Sequence, residues 1–346
     1  MCSYSQNNNK TMKKVLITLG VLLSMTSCEE RGNKPEPQEK IVTGLLSEDT
    51  YWYSDTVYEM AGKVVGDNGV KLTIEAGTVI KSRDGQGSLS TALIVSRGGM
   101  IDAQGTADDP IIFTSVYDNG SNLDESDKGL WGGVVILGNA PISADANEAL
   151  IEGLPANEPF AVYGGQNPHD NSGILKFVSI RHAGTLLGDG NELNGLTLGG
   201  VGDGTTISDI EVVANLDDGI EWFGGTVDCQ NLIVWAQGDD AFDIDQSYDG
   251  TISNFLVICD SDSDHALEID GGEGTMNNPF RMEYGTVYGP STVEFHFRDG
   301  ATGYVSVHGD YNVSADSATS VTVEDLMVGV NEMLFEWTFS YENGAF

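Results

Sequence analysis

From residue 207 onward the chain divides into three tandem units: ISDIEVVANLDDGIEWFGGTVD, CQNLIVWAQGDDAFDIDQSYDGT and ISNFLVICDSDSDHALEIDGGEGT. Ile207, Cys229 and Ile252 open the units, and Ile210, Leu232, Phe255 and then Val212, Val234, Val257 fall in register behind them. A period in the low twenties, with two short β-rich runs and a Gly/Asp turn per unit, belongs to a solenoid. One such coil cannot bury its apolar face alone, so it stacks on its neighbours. No segment sustains helical periodicity. A β-sandwich would also give short strands, but its strands have no reason to repeat in aligned columns. The fold expected is an all-β, right-handed parallel β-helix of single coils, with capped ends and long loop excursions, the hand following the general preference for right-handed crossovers.

The same register aligns acids. Asp217-Asp218, Asp239-Asp240 and Asp264-His265 share one turn, and Glu221, Asp243 and Glu268 share a position in the strand that follows. Glu294 of VEFHF is expected to extend that column, and Asp245 and Asp270 form a second one. Ile220, Phe242, Leu267 and Trp222, Ile244, Ile269 flank the carboxylates as inward residues, so alternation points the acids outward. Stacked strands lie about 4.8 Å apart. Like charges at that spacing repel by roughly 3.5 kcal/mol at an effective dielectric near 20, and by under about 1 kcal/mol in bulk water. Residues 182 to 280 contain no Lys or Arg. Neutralisation must therefore come from solvent ions, a bound cation, raised pKa values or basic side chains remote in sequence.

Oxygen-only clusters suit Ca²⁺, which takes six to eight oxygen ligands at about 2.3–2.6 Å. The metal reading draws on Asp217, Asp218, Glu221, Asp239, Asp240, Asp243, Asp245, Asp264, Glu268 and Asp270. The competing reading is a solvated acidic face whose aspartates simply favour turns. GDDAFDIDQSYDG matches neither an EF-hand loop nor the calcium nonapeptide repeat. Val213, Trp235 and Ile258 form an outward apolar stripe, in which Trp235 is a candidate for stacking on a sugar ring or partner; a loop from 184–206 or 143–173 covering it is the alternative. His182, His265, His296 and His308 lack zinc spacing, and His265 is expected to pair with Asp240 or Asp264.

With Lys+Arg 16 against Asp+Glu 53, the formal charge is −37, which argues against a nucleic-acid partner. Lys10, Lys13 and Lys14 precede an apolar run, Val15 to Met25, too short to span a bilayer. That run ends in MTSC, which resembles a bacterial lipobox with Cys28 as the lipidated residue. Residues 1–28 are then a lipoprotein signal peptide with Met12 as its start, residues 29–40 (EERGNKPEPQEK) a flexible tether, and residues 41–346 the β-helix. Glu29 and Glu30 resemble an acidic surface-export signal. Cys229 and Cys259 stand in different columns and read as buried free thiols. Tyr51, Trp52, Tyr53 and Tyr58 are expected to cap the N-terminal end, residues 143–173 to leave the coil as an excursion, and MLFEWTFSYENGAF to cap the other end.

LTIEAGTVIKS, ALIVSRGGMIDAQGTADDPIIFTS, GLWGGVVILGNAPI, GLTLGGVGDGTTI, LDDGIEWFGGTV and GDDAFDIDQSYDG together resemble a widespread family of bacterial right-handed β-helix lipoproteins common in Bacteroidetes. The resemblance covers most of residues 64–250. It implies the fold and a cell-envelope location, and no particular reaction. The function expected is a non-catalytic binding or scaffolding module at the outer membrane surface, held by its lipid anchor, with a glycan or envelope protein as ligand and Ca²⁺ as structural ion. Two alternatives stand. One is a polysaccharide lyase or glycoside hydrolase using Asp239, Asp240, Asp264 and Arg281, since hydrolases need a carboxylate pair about 5–9.5 Å apart and lyases a basic residue. The other is a purely structural envelope protein.

Overall fold

The computed structural model describes residues 38–154, 158–188, 191–290 and 293–346, which belong to one compact unit. The proposed signal peptide, Cys28, and residues 29–37 of the tether lie outside the described residues; the first strand, Gln38–Leu46, begins within the tether's last three positions. Among the described residues, 22 strands join in one continuous sheet whose pairings are parallel throughout. This is a right-handed parallel β-helix. No described helix is long and apolar enough to cross a membrane.

The register read from the sequence holds: Ile207 pairs with Cys229 and Cys229 with Ile252, and Val212, Val234 and Val257 align likewise. The inward residues Ile207 and Ile210 lie three apart, which breaks a period of two, so one residue must turn a corner between them. Asp209, Asn231 and Asn254 occupy that corner with φ near +57°, a left-handed conformation that Asn and Asp tolerate better than other side chains. Their side chains stack as a ladder: Asn231 Nδ2 donates to Asp209 Oδ1 at 2.8 Å and Asn254 Nδ2 to Asn231 Oδ1 at 3.1 Å. Strands such as Thr206–Val213, Cys229–Trp235 and Thr251–Ile258 thus bend around one side of the coil. The short strands Ile220–Phe223, Phe242–Ile244, Leu267–Asp270 and Glu294–Arg298 form another face.

The coil interior is one continuous apolar core. Phe242 packs edge-on against both Trp222 and Phe255, and each such fully buried side chain contributes roughly 1.5–3 kcal/mol. Trp131, which register could not place, lies in this core with its indole N–H donating to the Arg181 carbonyl at 2.8 Å. Trp52 stacks on Tyr58 at the N-terminal end, with centroids 4.9 Å apart, while Tyr51 and Tyr53 remain exposed. Cys229 and Cys259 are free and buried.

Two further apolar clusters lie outside the coil, and they decide which outward residues meet water. The 143–173 excursion packs Ile151, Leu154, Ala161 and Tyr163 onto the outer faces of Ile94, Val135, Leu137 and Phe223. The C-terminal segment lays Val330, Phe335 and Phe339 on Val213, Trp235 and Ile258. This corrects two expectations. MLFEWTFSYENGAF runs along the side of the stack instead of capping its end, and Trp235, its ring 6.4 Å from Phe339, is buried. The fastening is polar as well: buried Glu211 accepts from Ser340 N and Ser340 Oγ at 2.8 Å and from Phe339 N at 3.2 Å. The last strands, Asn312–Ala315 and Ser320–Asp325, pair on one side only.

Candidate functional site

The acid column runs up the face of short strands. Thr197 pairs with Glu221, Glu221 with Asp243, Asp243 with Glu268, and Glu268 with His296. Glu294 was expected in the place that His296 takes; it pairs with Asn312 and lies two residues out of register. Both side chains share the outward parity of VEFHF, so alternation alone could not separate them.

The turn acids tie the coils together. Asp218 Oδ1 accepts from the backbone N–H of Asp240 at 3.0 Å, and Asp240 Oδ1 accepts from the N–H of His265 at 2.8 Å. The His265 ring pairs with Asp240 through Nδ1 at 2.8 Å and approaches Asp264 at 3.8 Å, the partners read from the sequence. Asp218 and Asp240 are buried, whereas Asp239 and Asp264 are exposed.

The acid face is solvated only in part. Glu152 of the excursion joins Asp217, Asp218, Glu221, Asp239, Asp243 and Asp245 in lining a cavity of about 310 Å³ whose walls are acids alone; Glu152 and Asp239 are exposed. Glu221 is 4% exposed, and its Oε2 accepts from Asn194 Nδ2. Asp243 Oδ1 is buried without a hydrogen-bond partner. Carboxylate oxygens of Asp217, Asp218 and Asp239 lie within 4.8 Å of one another, as do those of Asp218, Asp240 and Asp243.

Burial, then the neighbouring carboxylates, drives these groups toward the protonated form. Burial and Asp240 raise Asp218 well above the ordinary carboxylate range; burial and Asp243 do the same to Glu221, and burial and Asp218 to Asp243. Burial and the hydrogen bond to Glu268 push Asp240 up to about 10. Burial and the Asp270 charge push Asp245 up to about 7.

The upper end of the column is neutralised differently. Arg298 reaches Glu268 at 2.8 Å and grips Asp270 at 2.7 and 3.1 Å. Partial burial works to raise Glu268, but the hydrogen bond from Asp240 and the charge of Arg298 hold it below the ordinary range. Arg281, the basic residue named for a catalytic reading, does not reach this site: it pairs with Glu283 and lies over the Tyr304 ring, on a strand of the bent side. Of the three acids named with it, Asp240 is buried between coils while Asp239 and Asp264 are exposed.

A second concavity, of about 600 Å³, lies where the excursion meets the first coils. Leu45, Phe160 and Val162 give it apolar walls, and Lys63, Asn68, Arg97 and Glu158 supply polar groups. Arg97 is fixed by Glu148 and by the Gly164 carbonyl, the latter at 2.8 Å.

The model of the pectate-lyase-like β-helix domain matches residues 44–294. Among solved structures, the pectin methylesterase from Aspergillus niger aligns at 10% identity, over 86% of this chain and 97% of that one, with a TM-score of 0.36. A likeness that loose carries no argument about activity. No curated protein matches the chain. By the extent of the domain match, the chain belongs to the pectate-lyase-like β-helix domain family.

Proposed function

We propose that this pectate-lyase-like β-helix is a non-catalytic binding or scaffolding module, lipid-anchored through Cys28 at the outer membrane surface, with a Ca²⁺ site in the acidic cavity and a glycan or envelope protein as ligand. The observation that carries the calcium reading is the cavity itself: its lining groups are all carboxylates, among which Asp218 and Glu221 are buried. Seven carboxyl groups around so small a space cannot all ionise without a counter-charge. A hard divalent cation taking six to eight oxygens fits the donor set, with Asp243 Oδ1 as a buried oxygen still lacking a partner. Asp217, Asp218, Glu221, Asp239, Asp243 and Asp245 would hold the ion, and Glu152 would couple it to the excursion.

The groove between the first coils and residues 158–162 supports a glycan ligand. Its walls are apolar with a few convergent polar groups, the usual make-up of a small-molecule site. A second reading, a carbohydrate-active enzyme, draws on the contrast between Asp240, held protonated, and Glu268, held ionised, because paired acids with separated pKa values are how acid and base roles are divided. The burial of Asp240 favours the binding reading.

Thermal unfolding of the purified protein in EDTA, then in millimolar Ca²⁺, Mg²⁺ or matched NaCl, tests the proposal. Binding to the native state alone adds RT ln(1 + [L]/Kd), about 2.7 kcal/mol at a hundredfold excess over Kd. A calcium-selective rise in Tm that Asp243→Asn abolishes is expected. A shift that Mg²⁺ and NaCl reproduce would leave the cavity a set of protonated acids, and the purely structural reading would gain.

A further inference from the structure

Above the acid-only cavity the column changes chemistry, and the groups there form a constellation that spacing along the chain conceals. His296 stacks directly on Glu268 as its strand partner. His265 stands in the turn before the Glu268 strand, and its ring lies 5.0 Å from that of His296, centroid to centroid. One ring nitrogen from each histidine and one Glu268 oxygen lie within 4.8 Å of one another. We infer that His265, His296 and Glu268 form a second metal site, for a divalent transition ion of the Zn²⁺ class, distinct from the oxygen-lined cavity below it.

Three features of the surroundings carry this. The first is the tautomer of His265: its Nδ1 bonds Asp240 Oδ1 at 2.8 Å, so Nε2 is the nitrogen that remains for a metal. An acceptor oxygen holding the far nitrogen, here that of the Asp240 carboxyl group, is the usual support of a metal-bound histidine. The second is His296 Nδ1, which is buried and makes no hydrogen bond, although it lies 3.5 Å from Glu268 Oε1. A buried ring nitrogen facing a carboxylate oxygen without bonding to it is costly, and a shared cation removes the cost. The third is Arg298, which holds Glu268 Oε1 at 2.8 Å and so fixes the carboxylate from outside. Glu268 and Asp270 both pair with that one guanidinium, so the locality stays negative.

Two imidazoles and one carboxylate select a borderline ion over Ca²⁺, which prefers oxygen. Three protein ligands also leave a coordination position open. All three side chains are partly exposed, so water or an oxygen of an external ligand can reach the ion. Bond lengths near 2.0–2.1 Å require the rings to close slightly from their present separation.

The test uses the purified protein after chelator treatment, with Zn²⁺ alone and Co²⁺ alone as probes. Expected are one equivalent of Zn²⁺ by elemental analysis, a Co²⁺ visible spectrum of a mixed N/O site, and at least tenfold weaker Zn²⁺ binding in His296→Gln and in Glu268→Gln, each with unchanged circular dichroism. Asp243→Asn should leave Zn²⁺ binding intact while removing the calcium response, so the two sites fail separately. Absence of Zn²⁺ binding at micromolar concentration overturns the inference. So does Zn²⁺ binding that survives both substitutions, which would place the ion elsewhere, for instance at His169 and Asp203.

Discussion

Without a divalent cation, the stability of this protein should fall as pH rises from 5 to 8, and Asp245 sets a scale for the fall. Its carboxyl, ordinarily near 3.8, is pushed up to about 7 by burial and by Asp270. The folded protein keeps a proton that the unfolded chain gives up near pH 4. The stabilisation is therefore full below about pH 4 and is lost as pH climbs to about 7, at about 1.4 kcal/mol per pH unit. The whole interval amounts to about 4 kcal/mol, of which about 3 kcal/mol falls between pH 5 and 8, against a total stability of order 5–15 kcal/mol for an ordinary domain. Asp218, Glu221, Asp240 and Asp243 shift in the same direction, so the measured slope should be at least as steep. The assay is urea denaturation in EDTA at fixed ionic strength. Asp245→Asn should flatten the curve by about the amount assigned to Asp245. With Ca²⁺ present the trend should reverse, because metal and proton compete for the same oxygens and affinity rises with pH. Wild-type protein in EDTA that is as stable at pH 8 as at pH 5 would refute the reasoning, since the cavity acids would then be ionised at no cost.

Trp235→Ala should destabilise by about 3–5 kcal/mol, as truncation of a large buried aromatic does, and removal of residues 329–346 should red-shift tryptophan emission and induce dye binding; unchanged emission would mean the C-terminal segment does not cover the stripe. Gly219→Ala should cost about 1–3 kcal/mol by overpacking, because its Cβ would come within 2.4 Å of Val234 Cγ1 and 2.6 Å of the Ala241 carbonyl; a neutral effect by chemical denaturation would show that the coil yields there. Cys28→Ala should release the protein from membranes, and protease added to whole cells should digest the wild type; protection from protease would count against the surface location.

The columns were legible because coils of 22 and 23 residues place like residues at like positions, and each stacked pair is a local consequence of that count. Ile207, Cys229 and Ile252 needed no structure to align. Legibility ended where coil length changed. The longer stretch after Asp270 moved the register by two, so His296 took the place expected of Glu294, and Arg298 was brought to the acids while Arg281, nearer in sequence, went to the bent side. One signal was present and unused: inward residues three apart at Ile207 and Ile210 demand a corner, and Asp209, Asn231 and Asn254 mark it. The covers were not legible at all. Alternation tells which side chains leave the coil, but nothing in residues 143–173 or 329–346 states which outer face they will lie on, because those contacts carry no period. Trp235 and the acid column were both read as outward; the C-terminal segment buries Trp235, and Glu152 of the excursion joins the column at the Glu221 and Asp243 levels.

That difference between outward and exposed gives the column its chemistry. A solvated ladder of carboxylates spaced about 4.8 Å apart would stay ionised at small cost, its repulsion screened by water and salt. Under the excursion the same repulsion acts at lower dielectric, and the molecule meets it in two ways. Around Glu221 and Asp243, where Glu152 joins the cavity and no described basic side chain lines it, the buried acids must hold protons or share a cation. Around Glu268, one coil higher, Arg298 provides the counter-charge and the rings of His265 and His296 stand beside it. Moving one coil along a single column thus changes a hard, all-oxygen environment into a mixed nitrogen and oxygen one, although the backbone at the two levels is the same. The position of the excursion, more than the identity of any one acid, determines which chemistry each level can support.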